Sequence, residues 1–61
     1  MANRTYFIES ANKNLEDFLD MITVLYAVVT TELVEMDFIK VSVTTFVNDI
    51  DFVETIYNAL F

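Results

Sequence analysis

Val28-Val29-Thr30-Thr31-Glu32-Leu33-Val34-Glu35-Met36-Asp37-Phe38-Ile39-Lys40-Val41-Ser42-Val43-Thr44-Thr45 is the stretch on which the fold turns, because two periodicities meet inside it. In its second half Ile39, Val41 and Val43 alternate with Lys40, Ser42 and Thr44, the two-residue repeat of a half-buried strand. Wound as a helix, the apolar residues from 33 to 43 would scatter all round the wheel. A strand is therefore predicted over about 37–46. The first half is pulled the other way. Leu15, Phe18, Leu19, Ile22, Leu25, Tyr26, Val29, Leu33 and Met36 follow one another at helical spacings and lay one stripe along a helix. Leu15, Ile22, Val29 and Met36 also recur at the heptad interval of a helix-pairing seam. Against this stands the run Val28 to Thr31, whose β-branched side chains each lose rotamer freedom in a helix. The prediction is a helix from 15 to about 31, reaching 36 if the stripe prevails.

Outward from that stretch, Thr5-Tyr6-Phe7-Ile8-Glu9 is short, aromatic and β-branched and reads as an edge strand. Residues 10–13 form a polar connection. Asn14 offers a helix N-cap, with Glu16 and Asp17 in the first turn, where carboxylates favour the positive end of the dipole. Asn48 repeats that logic with Asp49 and Asp51, ahead of a closing helix whose apolar face is Ile50, Val53, Ile56, Tyr57 and Leu60. The two helix starts align, Asn14, Asp17, Phe18, Asp20 and Ile22 with Asn48, Asp51, Phe52, Glu54 and Ile56. A duplicated strand–helix unit would produce that match, but so would two independent solutions to capping a helix and burying its first turn, and the second is favoured.

The fold expected is α+β, a small β-α-β-α domain with a long amphipathic first helix. Two strands joined through a helix would be parallel. Two strands are too few for a stable sheet, so dimerisation is expected to complete it. The alternative is an all-α three-helix bundle, with tertiary packing overriding the strand preference of 37–46.

Composition points to the same need for a partner surface. A chain of 61 residues makes one domain and hides only about 60% of the surface its unfolded form exposes. Yet 56% of it is apolar, with six Phe and three Tyr, and no cysteine is present to staple it. A second copy or a partner is the simplest cover, and a two-fold homodimer is expected. Gly and Pro are both absent, which favours few, long elements over tight turns.

Chemistry is narrowly bounded. Without His or Cys there is no Ser-His-Asp or Cys-His arrangement and no zinc site built on those ligands. Without glycine there is no phosphate-cradling loop. Paired carboxylates need a partly dry concave site for acid–base work, which so small a domain rarely spares. No enzyme activity, cofactor or metal is expected. Asp49, Asp51 and Glu54 lack the glycine and the distant bidentate Glu of a calcium loop, and dipole compensation explains them more simply.

The charge is lopsided. Ten carboxylates face Arg4, Lys13 and Lys40, for a net charge of −7, most of it in residues 32–61. Such a field repels phosphate and excludes direct nucleic-acid binding, whereas a basic protein surface complements it. Glu16, Asp17 and Asp20 read as a solvated helix face. Glu32, Glu35 and Asp37, with Asp49, Asp51 and Glu54, are the candidate partner-binding acids. Leu15, Phe18, Ile22, Leu25, Tyr26 and Val29 are the candidate core or dimer seam. Phe38, Phe46 and Phe52 fall off the inward faces and, with Phe61, are candidates for an exposed apolar anchor.

The function expected is that of a small acidic binding protein, a homodimer docking on and inhibiting or regulating a larger protein with a basic surface. Its size and charge are those of viral and mobile-element inhibitors of host or defence enzymes. A self-assembling structural subunit is one alternative, and a nucleic-acid mimic occupying a basic groove is another. The N-terminus carries no signal-like apolar run, and Met21–Val29 is far short of a membrane span, so a cytoplasmic setting without membrane contact is expected.

Overall fold

β1 (Ala2–Glu9) is followed by α1 (Leu15–Thr23), β2 (Val28–Glu35), β3 (Phe38–Thr45) and α2 (Val47–Leu60). These elements come from a computed structural model that describes every residue except Tyr26. The strands form one antiparallel sheet in the order β1-β3-β2, with α1 and α2 on one face. The protein is thus a small α+β domain, and the all-α bundle is set aside.

The predicted long helix ends at Thr23, and from Val28 onward the chain is a strand. Thr23 itself helps to end the helix, turning its hydroxyl back to donate to the carbonyls of Leu19 and Asp20. The β-branched run then takes the extended conformation it packs best in. The stripe from Leu15 to Leu25 belongs to the helix and its exit. Its continuation through Val29, Leu33 and Met36 is a coincidence of spacing across a strand and its turn, so no heptad seam exists on one helix.

That extra strand also overturns the parallel pairing. β1 and β2 run the same way on either side of β3, a split β-α-β unit, and β3 is antiparallel to both. The β2–β3 hairpin turns at Met36 and Asp37, with an irregularity of register between Leu33 and Glu35. Turning without glycine, the hairpin is anchored to the rest of the chain by the Ser10 N–H, which donates to the Asp37 carbonyl at 2.8 Å.

Cross-strand partners share a face, so the register sorts the side chains. Tyr6 lies opposite Val41 and Ile8 opposite Ile39. Together with Val43 they face the helices and meet Phe18 and Ile22 of α1 and Val53 and Ile56 of α2. An aromatic cluster closes one end. Tyr6 stacks on Tyr57 at 4.4 Å, Tyr57 on Phe61 at 5.0 Å, and Phe18 meets Tyr6, Tyr57 and Phe61 edge-on.

The caps differ from the expected ones. Asn14 does precede α1, but its side chain does not cap that helix; its Nδ2 donates to the Leu60 carbonyl at 2.8 Å and ties the start of α1 to the end of α2. α2 begins one residue earlier than Asn48, after an extended Phe46.

α1 packs against the sheet at two points. Phe18 meets Tyr6 of β1, and just past the end of the helix the Leu25 carbonyl accepts from the buried hydroxyl of Thr45. Val29, at the exit end of α1, is accordingly half-buried. Thr31 and Leu33, farther along the same face of β2, lie beyond the helix and are exposed.

Candidate functional site

The six candidate acids do not form one surface. Glu32 and Glu35 lie on β2, and Asp37 is in its hairpin turn. Asp49, Asp51 and Glu54 lie on α2, where Asp51 and Glu54 reach β1 at the opposite edge of the sheet. The two groups also differ in how free they are. Glu54 Oε2 accepts from the Tyr6 hydroxyl at 2.8 Å and from Arg4 Nη1 at 3.1 Å. Arg4 Nη2 reaches Asp51 Oδ1 at 3.4 Å. Asp49 is half-buried in the first turn of α2. By contrast, Glu32, Glu35 and Asp37 are all exposed, and among the described residues their carboxylates make no ion pair.

The Arg4–Tyr6–Glu54 cluster is a clamp between β1 and α2. Alternation puts Arg4 and Tyr6 on the helix-facing side of β1, and a spacing of three puts Asp51 and Glu54 on one side of α2. Each half is visible in the sequence, but nothing there brings the two elements together. Burial, reinforced by the Glu54 hydrogen bond and its negative charge, raises the Tyr6 phenol well above its ordinary value. A phenol so held stays protonated and serves as a donor, which suits a structural role rather than that of a base or nucleophile.

Of the predicted core or seam residues, Phe18 and Ile22 are fully buried within this one chain, and Leu15, Leu25 and Val29 pack half-buried against the core. Tyr26 lies outside the described residues. Phe46 and Phe52 are exposed, Phe38 is at the exposed end of β3, and Phe61 joins the aromatic cluster while remaining 40% exposed.

What the sequence reading missed is the character of β2. It pairs with β3 along one side only, and its other edge carries no partner strand among the described residues. None of its residues is buried. The face of the sheet away from the helices is also uncovered. Thr5, Ser42 and Thr30 form a hydroxyl row across all three strands, and Phe7, Lys40 and Glu32 form the next. Asn3 Nδ2 donates to Thr44 Oγ1 at 2.8 Å on this face. The signal that could have revealed β2 is the Val28–Thr31 run, whose preference for extended backbone outweighed a helical spacing.

Among the described residues no three carboxylates converge as a metal site would require, no pocket is enclosed, and no helix is long and apolar enough to cross a membrane. No protein-family model, curated protein or solved structure matches the chain.

Proposed function

We propose that the protein acts by binding without a reaction of its own, docking on a larger protein with a basic surface and inhibiting or regulating it. The docking element is the acidic end of the β2–β3 hairpin, formed by Glu32, Glu35 and Asp37. The observation that carries this reading is the contrast between the two acidic groups. The α2 carboxylates Asp51 and Glu54 are engaged by Arg4, whereas the hairpin acids project from an uncovered strand and its turn. Carboxylates without an ion pair on an exposed strand and turn offer a basic partner charge without the penalty of breaking internal pairs.

The test is capture of a partner from the source organism's extract, followed by reconstitution with that purified partner. The variant Glu32→Lys/Glu35→Lys/Asp37→Lys should bind at least about tenfold more weakly than the wild type, chiefly through slower association at low salt. Wild-type affinity should fall as salt is raised. Full retention of the partner by the variant overturns the assignment of these three acids.

A further inference from the structure

β2 is nearly palindromic in character. About Thr31 the sequence reads Val28-Val29-Thr30 on one side and Glu32-Leu33-Val34 on the other, two apolar residues flanking a polar centre in both directions. We propose that the free edge of β2 pairs antiparallel with β2 of a second copy, with Thr31 on the two-fold axis, to give a continuous six-stranded sheet. This inference does not rest on the partner-docking reading, because it needs no other protein and stands on the backbone edge of β2 and the order of its side chains.

An exposed edge strand presents a row of unpaired N–H and C=O groups, and short length, charge or a covering element usually blunts it. β2 has eight residues and, among the described residues, pairs on one side only. A second strand of the same length satisfies that row.

Side chains then choose the occupant and the register. A two-fold axis normal to the sheet keeps each residue on its own face, so it must pass through one residue position rather than between two. Centred on Thr31, the pairing sets Val29 opposite Leu33 twice on the helix side, Thr30 opposite Glu32 twice on the open side, and Val28 opposite Val34. Leu33 is 68% exposed in one copy, and this register brings it beside Val29, at the rim of the other copy's core. Centring on Glu32 instead sets two carboxylates face to face, and centring on Leu33 sets Glu32 against Val34 and Thr31 against Glu35. Only the Thr31 register matches apolar with apolar and avoids directly opposed like charges.

The other edge fails the same test. β1 reads Ala2-Asn3-Arg4-Thr5-Tyr6-Phe7-Ile8-Glu9, polar in one half and aromatic in the other. Antiparallel self-pairing about its middle would set Arg4 and Asn3 against the apolar half. Arg4 is, moreover, already held by α2.

Each copy carries −7, so repulsion opposes the pairing and salt should strengthen it. Salt acts in the opposite direction on docking to a basic partner, and the two readings can therefore fail separately. Strand pairing alone covers less than a standard interface, so the dimer is expected to dissociate readily on dilution.

Sedimentation equilibrium of the wild type over roughly 1–200 µM should show a monomer–dimer equilibrium that shifts toward dimer as sodium chloride is added. Thr31→Cys introduces the chain's only thiol. Directly opposed residues in an antiparallel ladder have Cα atoms about 4.5–5.5 Å apart, inside the range a disulfide spans. Mild oxidation should thus link Thr31→Cys into a covalent dimer much faster than Thr5→Cys on the other edge strand. Leu33→Lys should weaken the dimer at least about tenfold while leaving the circular dichroism spectrum of the dilute protein unchanged. Thr30→Lys should tighten it, because each new lysine faces Glu32 of the other copy. A wild type that stays monomeric at every concentration overturns the proposal. So do assemblies larger than a dimer, cross-linking of Thr31→Cys no faster than Thr5→Cys, or a weaker Thr30→Lys dimer.

Discussion

β1 and β2 are both edge strands of eight residues, and both pair with the same central strand, yet they contribute to the molecule in opposite ways. At the level of Val41 and Ile39, β1 supplies Tyr6 and Ile8, which are almost completely buried, while β2 supplies Thr31 and Leu33, which face solvent. Strand propensity does not separate them, since both are rich in β-branched or aromatic residues. Helix cover does: Tyr6 and Ile8 pack with Phe18, Ile22, Val53 and Ile56, whereas Thr31 and Leu33 stay exposed. β2 is covered only where α1 leaves the sheet, and the rest of the strand is held by backbone pairing with β3. One edge therefore belongs to the core and the other is available for contact.

Truncating matched positions separates the two edges most clearly. Ile8 and Leu33 both lie opposite Ile39, on either side of it. Ile8→Ala removes a side chain only 3% exposed and should destabilise by about 2–5 kcal/mol, enough to lower the melting temperature of so small a domain by roughly 10 °C or more. A change below about 2 °C would mean that β1 is not the core edge. Leu33→Ala, melted in dilute solution so that self-association does not contribute, is its control and stands last in size.

Next comes Tyr6→Phe, which keeps the ring stack but deletes the donor to Glu54. It should destabilise by about 1 kcal/mol at neutral pH, since the acceptor is charged but partly solvated. The same substitution should change the alkaline limb. The folded phenol is raised above its ordinary 10.0, so the unfolded chain loses that proton first, and stability is full below about pH 10 and falls as pH rises beyond it. Urea midpoints between about pH 9 and 11 should fall more steeply for the wild type than for Tyr6→Phe. Equal slopes would remove Tyr6 from the account.

Arg4→Gln should have a smaller effect, about 0–1 kcal/mol, because both of its ion pairs are partly exposed and Asp51 is almost fully solvated. Its loss should largely disappear in high salt, which a thermal melt with and without added sodium chloride will show. The smallest effect is that of Leu33→Ala, within about 0.5 kcal/mol in the isolated monomer. A loss comparable to that of Ile8→Ala would erase the distinction between the two edges.

Much of this architecture could be read from local pattern, and the exceptions have physical causes. The alternation of Ile39, Val41 and Val43 marks β3, and the spacing of Ile50, Val53 and Ile56 marks α2, because in each case one face is buried and the other is not. β2 was illegible for the converse reason. With no buried face, it carries no alternation, and Leu25, Val29, Leu33 and Met36 happen to fall at helical intervals. The strand order was hidden by the same omission, since a single missed strand reverses the direction of β3 relative to β1. As for the candidate acids, the sequence shows where carboxylates accumulate but not that Arg4 lies beside Asp51 and Glu54. That proximity depends on contacts between opposite ends of the chain.

The same topology sets an order of assembly. The Asn3–Thr44 bond spans a sequence separation of 41, whereas β2 and β3 meet across a two-residue turn. Closing the long loop is entropically slower than zipping the hairpin. β1 therefore waits for β3, the last strand, and until Val41 and Val43 are in place, Tyr6 and Ile8 have no strand to dock against. In that interval the apolar side chains of β1 lack their cover, and the chain is open to chaperones or to aggregation.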